Sequence, residues 1–230
     1  MRPLVVGHRG ASAYALENTL EAFRQAVDMG ADMVELDVRE SLNHEFIVIH
    51  DKDLRRISGK NVIVHKTHSR DLCSTQLHNK ERLLRLPEVF DLLPSAVGII
   101  VELKSIRSYQ KMGDFIAVRA KERPVILASF DLSLIKRIQD NSPNLPIGIV
   151  SHTLNNIAKA SLMGIRFENV CLDFQAINAK AIRELKIQKI KTFAWTVDRA
   201  EDIRRMIEVD IDGIISNKPD TVRRILDQVK

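Results

Sequence analysis

The chain has little cysteine. Its 230 residues include only Cys73 and Cys171, which lie far apart and in no metal-binding spacing. This scarcity excludes a disulfide framework and a thiolate metal site. We therefore expect both residues to be reduced, buried thiols.

Long hydrophobic runs are also missing. Only the segment from Pro3 to Gly7 separates Arg2 from His8, and it is too short for the apolar core of a signal peptide. No later apolar run approaches the roughly 18 residues needed to cross a bilayer. These absences predict a soluble, cytoplasmic protein without a membrane span.

Positive charge is concentrated in one segment that has no aromatic residues. The chain carries a formal net charge of +5, and residues 52–86 hold nine lysines or arginines against three acids. A surface without stacking aromatics is a poor candidate for binding nucleic acid, so we expect no such partner. The segment suits a field that attracts small anions, with a solvated surface loop as the alternative.

Apolar runs of strand type alternate with helical periodicity along most of the chain. Eight strands are predicted, near residues 4, 34, 99, 126, 148, 171, 193 and 214, with a short extra strand over 46–49. Helices are predicted over 20–29, 109–121, 132–139, 154–162, 179–185, 200–207 and 221–229.

This alternation predicts parallel βαβ units of the α/β class, and eight such units close into a (β/α)8 TIM barrel. Residues 1–230 would form a single domain, with 52–86 as a loop insertion near the site. A doubly wound open sheet is the alternative, but no G-x-G-x-x-G motif follows any strand.

Five short polar stretches close or follow predicted strands. They are His8-Arg9-Gly10, Glu17-Asn18-Thr19, Glu35-Leu36-Asp37, His50-Asp51 and Glu102-Leu103-Lys104. Side chains two apart on a strand share a face, so Glu35 and Asp37 project together. Carboxylates without thiolates suit a hard divalent cation such as Mg²⁺ or Ca²⁺, and neighbouring Arg and Lys suit a phosphate. The pattern predicts metal-assisted phosphate chemistry, with a structural ion network as the alternative.

Two of the seven histidines lie in these stretches. Imidazole titrates near neutrality, so His8 and His50 can take a proton from an attacking group and give one to a leaving group. Either residue taken alone would be better explained as structural, but the neighbouring carboxylates favour the proton-transfer role. We expect the others to be surface residues: His44, His65, His68, His78 and His152.

The ordered set H-R-G, E-N-T, E-x-D, H-D and E-x-K resembles the glycerophosphodiester phosphodiesterase family. The match continues through Trp195-Thr196-Val197-Asp198 and Asp212-Gly213-Ile214-Ile215, so it covers nearly the whole chain. The resemblance implies a barrel and one divalent cation, Mg²⁺ or Ca²⁺, with Mn²⁺ as an alternative. It also implies that a small-molecule glycerophosphodiester is hydrolysed to glycerol phosphate and an alcohol.

The resemblance further implies a role for individual residues. The metal ligands would be Glu35, Asp37 and Glu102. The general acid and base, in either order, would be His8 and His50. The substrate would contact Arg9 and Lys104 through its phosphate. It would contact Trp195 through its glycerol or leaving group, with simple packing of the ring as the alternative. Glu17 is a further candidate near the same centre, with a helix N-terminal acid as the alternative.

The chain departs from the usual family pattern in three places. Leu16 replaces a common proline, the turn from Arg39 to Glu45 lacks the usual Thr and Asp-Gly, and Asn217 stands where an Asp often precedes the proline. These departures bear on substrate preference and loop geometry. The alternative functions are a phosphodiesterase acting on lysophospholipids, as a lysophospholipase D does, and a non-catalytic barrel that binds phosphate or other anions. The sequence leaves the oligomeric state open.

Overall fold

The computed structural model describes residues 2–228, and its centre is a closed barrel of eight parallel strands. The barrel strands are β1 (Leu4–His8), β2 (Met33–Glu40), β4 (Gly98–Ser105), β5 (Val125–Ser129), β6 (Ile147–Ser151), β7 (Asn169–Asp173), β8 (Lys191–Trp195) and β9 (Gly213–Ser216). The short strand β3 (Phe46–Val48) pairs antiparallel with β2. Because β1 pairs with both β2 and β9, the first and last parallel strands are hydrogen-bonded and the sheet closes on itself. The predicted (β/α)8 barrel is confirmed, and the open-sheet alternative is wrong.

Helices pack around the barrel. The longer ones are α1 (Leu20–Asp28), α4 (Leu86–Leu92), α5 (Tyr109–Arg119), α6 (Leu132–Asn141), α7 (Leu154–Leu162), α8 (Ala179–Ile187), α9 (Ala200–Glu208) and α10 (Pro219–Gln228). Val229, the last residue of the helix predicted over 221–229, lies outside the described residues. α4 was not predicted, although Pro87 in its first turn is a typical start signal. No helix within residues 2–228 has the length and apolarity to span a bilayer.

Apolar side chains fill the space on both faces of the sheet. One cluster lies between strands and helices, and a smaller one fills the barrel interior with residues such as Val6, Ile100 and Phe193. Cys171 belongs to the interior cluster, and burial raises the pKa of its thiol. Cys73 is half-buried, and neither cysteine forms a disulfide. The interior is thus a packed base beneath the open end of the barrel.

Residues 52–86 contain local structure of their own. They form α2 (Arg55–Ser58), a 3-10 turn (Val64–Lys66) and α3 (Ser69–Ser74). Helices this short are unstable alone, so packing must hold them. These short elements pack on a small hydrophobic core of their own, which also includes two residues that precede the segment. The core consists of Ile47, Ile49, Leu54, Ile57, Val64, Leu72, Leu77 and Leu83. The backbone that bears the basic residues is therefore held in place by this small core.

Glu40, at the end of β2, anchors the loop between β4 and α5. Its buried carboxylate accepts hydrogen bonds from the backbone N–H groups of Arg107 and Ser108, at 2.5 and 2.9 Å. It also contacts His44 Nδ1 at 2.5 Å, so this exposed histidine has a structural partner. Burial opposes ionisation, but the N–H groups of Arg107 and Ser108 hold the pKa of Glu40 below its ordinary value.

We expect Glu40→Gln to lower the free energy of unfolding by about 1–3 kcal/mol, because buried donors lose a charged acceptor. Glu45→Gln, which removes only an exposed pair with Lys111, should stay within about 0.5 kcal/mol of the parent. Since the pKa of Glu40 is depressed, the parent's advantage is full above its ordinary value of about 4.5 and shrinks as pH falls through the folded value. Urea denaturation between pH 7 and 3 measures this; a pH-independent difference would contradict the assignment.

Candidate active site

Strand register gathers the predicted acids at the carboxyl end of the barrel. His8 on β1 pairs with Glu35 on β2, and Asp37 on β2 pairs with Glu102 on β4. Glu35 and Asp37 share a face because they are two apart. One potential ligand atom from each of the three acids lies within 4.8 Å of the others.

The three carboxylates are buried but not equivalent. Burial and the charges of Asp37 and Glu102 raise the pKa of Glu35 well above its usual range. Burial also raises the pKa of Glu102, against the opposing effect of Lys104. Burial works the same way on Asp37, but Lys104 and Arg9 outweigh it and hold its pKa low. Glu35 Oε1 is buried without a hydrogen-bond partner among residues 2–228, so the cluster carries an unsatisfied oxygen ligand.

Two cations and one amide surround this cluster. Arg9 Nε lies 3.1 Å from Asp37 Oδ2, and Lys104 Nζ lies 3.1 Å from Asp37 Oδ1 and also contacts Glu102. Asn18 donates to Asp37 Oδ2 at 2.9 Å and accepts from the Asp37 backbone N–H. In the E-N-T stretch only Glu17 was predicted to belong to the site, but Asn18 is the residue that contacts an acid of the cluster.

A tight turn after β1 aims Arg9 at the acids. Arg9 and Gly10 both have positive φ, at 56° and 82°. A Cβ on Gly10 would lie 2.5 Å from the carbonyl carbon of Ala22, so only glycine fits there. The Arg9 backbone N–H donates to Glu35 Oε2 at 2.9 Å, which ties the turn to the cluster.

His8 is held by Asn217, the residue that directly follows β9. Its Nδ1 lies 2.7 Å from Asn217 Oδ1, while Asn217 Nδ2 donates to Asp198. The amide oxygen therefore faces the ring, which places the proton on Nδ1 and leaves Nε2, 4.0 Å from Glu35, free to accept. Burial and the Arg9 charge lower the pKa of His8, which favours the neutral form of the ring.

The Nδ1 atom of His50 contacts a carboxylate, whereas that of His8 contacts an amide. Its Nδ1 lies 2.8 Å from Asp51 Oδ1, and its backbone carbonyl accepts from Arg39 Nε at 2.7 Å. Burial opposes ionisation of Asp51, but hydrogen bonds from Arg56 and His50 lower its pKa to about 2. Asp51 is therefore ionised at neutral pH, and its carboxylate faces Nδ1 of the His50 ring as a hydrogen-bond acceptor.

A cavity of about 270 Å³ brings these groups together. Polar groups from His8, Arg9, Glu35, His50, Glu102 and Lys104 line it. An aromatic wall faces them, made of Phe130, His152 and Trp195 with ring centroids 5.0 to 5.5 Å apart. The cavity thus combines charged groups with an apolar surface.

Two members of the aromatic wall were not assigned from the sequence. His152 was expected to be an ordinary surface residue, but although exposed it packs against Trp195. Phe130 and His152 directly follow β5 and β6, at the end of the barrel where Trp195 closes β8. Their place at strand ends was the signal that could have identified them.

Glu17 lies beside the acid cluster but bonds to cations. Its carboxylate contacts Arg9 Nη1 at 3.0 Å and Arg56 Nη2 at 2.7 Å. It precedes Thr19, the N-cap of α1, and therefore does not belong to the first turn of that helix. In the structure its immediate partners are the two arginines.

The model of the glycerophosphoryl diester phosphodiesterase family matches residues 8–221. The chain belongs to this family. It is therefore a phosphoric diester hydrolase, as the sequence resemblance predicted.

Individual relatives agree with this assignment. A glycerophosphodiester phosphodiesterase of Caldanaerobacter subterraneus is 31% identical, over 96% of this chain and 97% of its own. The crystal structure of the Thermotoga maritima glycerophosphodiester phosphodiesterase superimposes with a TM-score of 0.82 at 28% identity, covering 98% of this chain and 99% of that chain. A phosphodiesterase of Oleispira antarctica, solved with the product sn-glycerol-3-phosphate, shares the fold with a TM-score of 0.86 at 20% identity, covering 98% and 97%.

Proposed function

We propose that this phosphodiesterase hydrolyses small glycerophosphodiesters to glycerol phosphate and an alcohol, with one divalent cation held by Glu35, Asp37 and Glu102. The observation that carries the proposal is the convergence of two carboxylates, two histidines and two cations on one cavity, with the third carboxylate, Asp37, buried next to the first two. Family membership supplies the reaction class.

The acid cluster fits a divalent cation. All three donors are carboxylates, and the unpartnered Glu35 Oε1 is a buried oxygen that such an ion would satisfy. Oxygen ligands favour Mg²⁺ or Ca²⁺, with Mn²⁺ as the alternative. When bound, the cation would act as a Lewis acid toward the phosphate and acidify the attacking oxygen.

The chain's own residues would bind the phosphate and move the protons. Arg9 and Lys104 line the cavity next to the acid cluster. Both cations would therefore stabilise negative charge on the oxygens of a phosphate bound there. His8 and His50 would exchange protons with the attacking and leaving oxygens. A carboxylate behind His50 and a neutral amide behind His8 favour His50 as the acid and His8 as the base.

The aromatic wall gives the substrate an apolar contact. Trp195 Nε1 donates to the Cys171 carbonyl at 2.9 Å, which fixes the ring. Its remaining ring surface would pack against the carbon skeleton of the glycerol or of the alcohol.

The test is release of glycerol phosphate from glycerophosphocholine, with and without EDTA. We expect metal-dependent turnover of this substrate and weaker turnover of lysophosphatidylcholine under the same conditions. A preference for the lipid would favour the lysophospholipid alternative, and no turnover of either would contradict the proposal.

We also propose that the enzyme works in the cytoplasm. Both cysteines are unpaired in the structure, as is usual in a reducing compartment. Fractionation of cells that express the tagged protein would test this location.

A further inference from the structure

Arg56 connects two parts of the candidate site, one at Glu17 and the other at Asp51. Its Nη1 and Nη2 donate to both oxygens of Glu17 at 2.9 and 2.7 Å. Its Nε donates to Asp51 Oδ2 at 2.7 Å. One guanidinium thus makes a two-pronged contact with one carboxylate and a third contact with another, a geometry available to arginine but not to lysine.

Each carboxylate that Arg56 holds has a second partner inside the site. Glu17 accepts from Arg9 Nη1 at 3.0 Å, and Asp51 lies 2.8 Å from His50 Nδ1. Two chains of contact therefore diverge from Arg56. One leads through Glu17 to the arginine that faces the acid cluster, and the other leads through Asp51 to a histidine of the cavity.

The position of Arg56 is determined by packing. It lies in α2, a helix of only four residues, between the buried side chains of Leu54 and Ile57. These two belong to the separate small core of residues 47–83. The basic segment thus holds one of its arginines against the site, 39 residues along the chain from Glu17.

We propose that Arg56 is a positioning residue, which orients His50 through Asp51 and Arg9 through Glu17. This inference rests on the proposed function for the roles of His50 and Arg9. Without Arg56, both carboxylates would keep their inner partners but lose the outer contact that fixes their direction. A small misplacement of reacting groups can cost about 100-fold in rate, even when the substituted residue lies away from the reacting atoms.

Arg55 provides a matched control in the same helix. Like Arg56 it is exposed, but the side-chain partner that it contacts is Asp53, at 2.9 Å, outside the cavity. Arg55→Gln removes the same charge from the same segment as Arg56→Gln. We expect Arg55→Gln to keep kcat/KM within about twofold of the parent.

We expect Arg56→Gln to lower kcat/KM for glycerophosphocholine by about 10–100-fold through misplacement of His50 and Arg9, with partial recovery in Arg56→Lys. We expect kcat to fall because His50 is less well oriented for proton transfer. We expect KM to rise because Arg9 is less well oriented for binding the phosphate. In the Asp51→Asn background the further loss of kcat should be small, because the contact through which Arg56 acts on His50 is already broken. The metal concentration at half-maximal activity should not change.

Two measurements need no turnover. In ¹⁵N-labelled protein, the His50 Nδ1–H signal should be present in the parent and in Arg55→Gln, and broadened or lost in Arg56→Gln. Titration with inorganic phosphate in the presence of Mg²⁺ should show about tenfold weaker binding only in Arg56→Gln, as expected when a charged hydrogen bond from Arg9 is weakened.

Equal behaviour of Arg55→Gln and Arg56→Gln in these measurements would overturn the proposal, as would fully multiplicative losses with Asp51→Asn. If the parent hydrolysed no glycerophosphodiester, the proposed function would fail, but the His50 signal and the phosphate titration would still decide the role of Arg56. A thermal unfolding scan of each variant identifies any that does not fold.

Discussion

Chelation of divalent cations is expected to abolish hydrolysis, and Mg²⁺, Ca²⁺ or Mn²⁺ is expected to restore it. Glu35→Gln, Asp37→Asn and Glu102→Gln should each lower kcat/KM at modest metal concentration by about 10³-fold or more. The reason is that Lewis-acid stabilisation supplies several kcal/mol, and each 1.4 kcal/mol is about tenfold in rate. Glu184→Gln on the exposed face of α8 should leave the rate unchanged.

Thermal unfolding gives a second measurement that does not depend on turnover. A cation that binds only the folded protein stabilises it by about 2.7 kcal/mol at 100 times its dissociation constant. Glu35→Gln should lose this metal-induced rise in Tm. It should also raise the Tm of the metal-free protein, because it removes one of three buried like charges. Full activity in excess chelator, or a metal-induced rise retained by all three variants, would contradict the metal site.

Replacement of either cavity histidine is expected to have an effect of similar size. His8→Ala and His50→Ala should each lower kcat by about 10²–10⁴-fold while leaving the metal-induced rise in Tm intact. The double variant should lose much less than the product of the single losses, because both residues serve one proton-transfer cycle. His65→Ala, at an exposed position outside the cavity, is the control.

A substrate with a p-nitrophenolate leaving group separates the two roles, because that group departs without a proton. The variant that lacks the acid should recover much of its rate on this substrate, and the variant that lacks the base should not. The contacts behind the rings predict recovery in His50→Ala. Activity within a few-fold of the parent in either single variant would return that histidine to a structural role.

The polar side chains that share one face of a strand could be predicted from the sequence, because side chains alternate between the two faces along a strand. The pairs Glu35 with Asp37 and Glu102 with Lys104 were expected to share a face, and each pair does line one end of the barrel. The number of strand-type runs was sufficient to predict the closed barrel, since alternating strands and helices have few other arrangements. The identity and order of the motifs were sufficient to predict the family, which the family model confirms.

Contacts between distant segments could not be read in the same way. Asn217 reaches His8 across 209 residues, and Arg56 reaches Glu17 across 39, in a segment whose composition indicated only charge. His152 has no motif around it and gains its place only because β6 and β8 end at the same rim. The sequence by itself determined which chemical groups stand at the strand ends, because that depends on local periodicity. Only the tertiary structure decided which groups hold them in place, because closing the barrel sets the distances between segments that no spacing along the chain encodes.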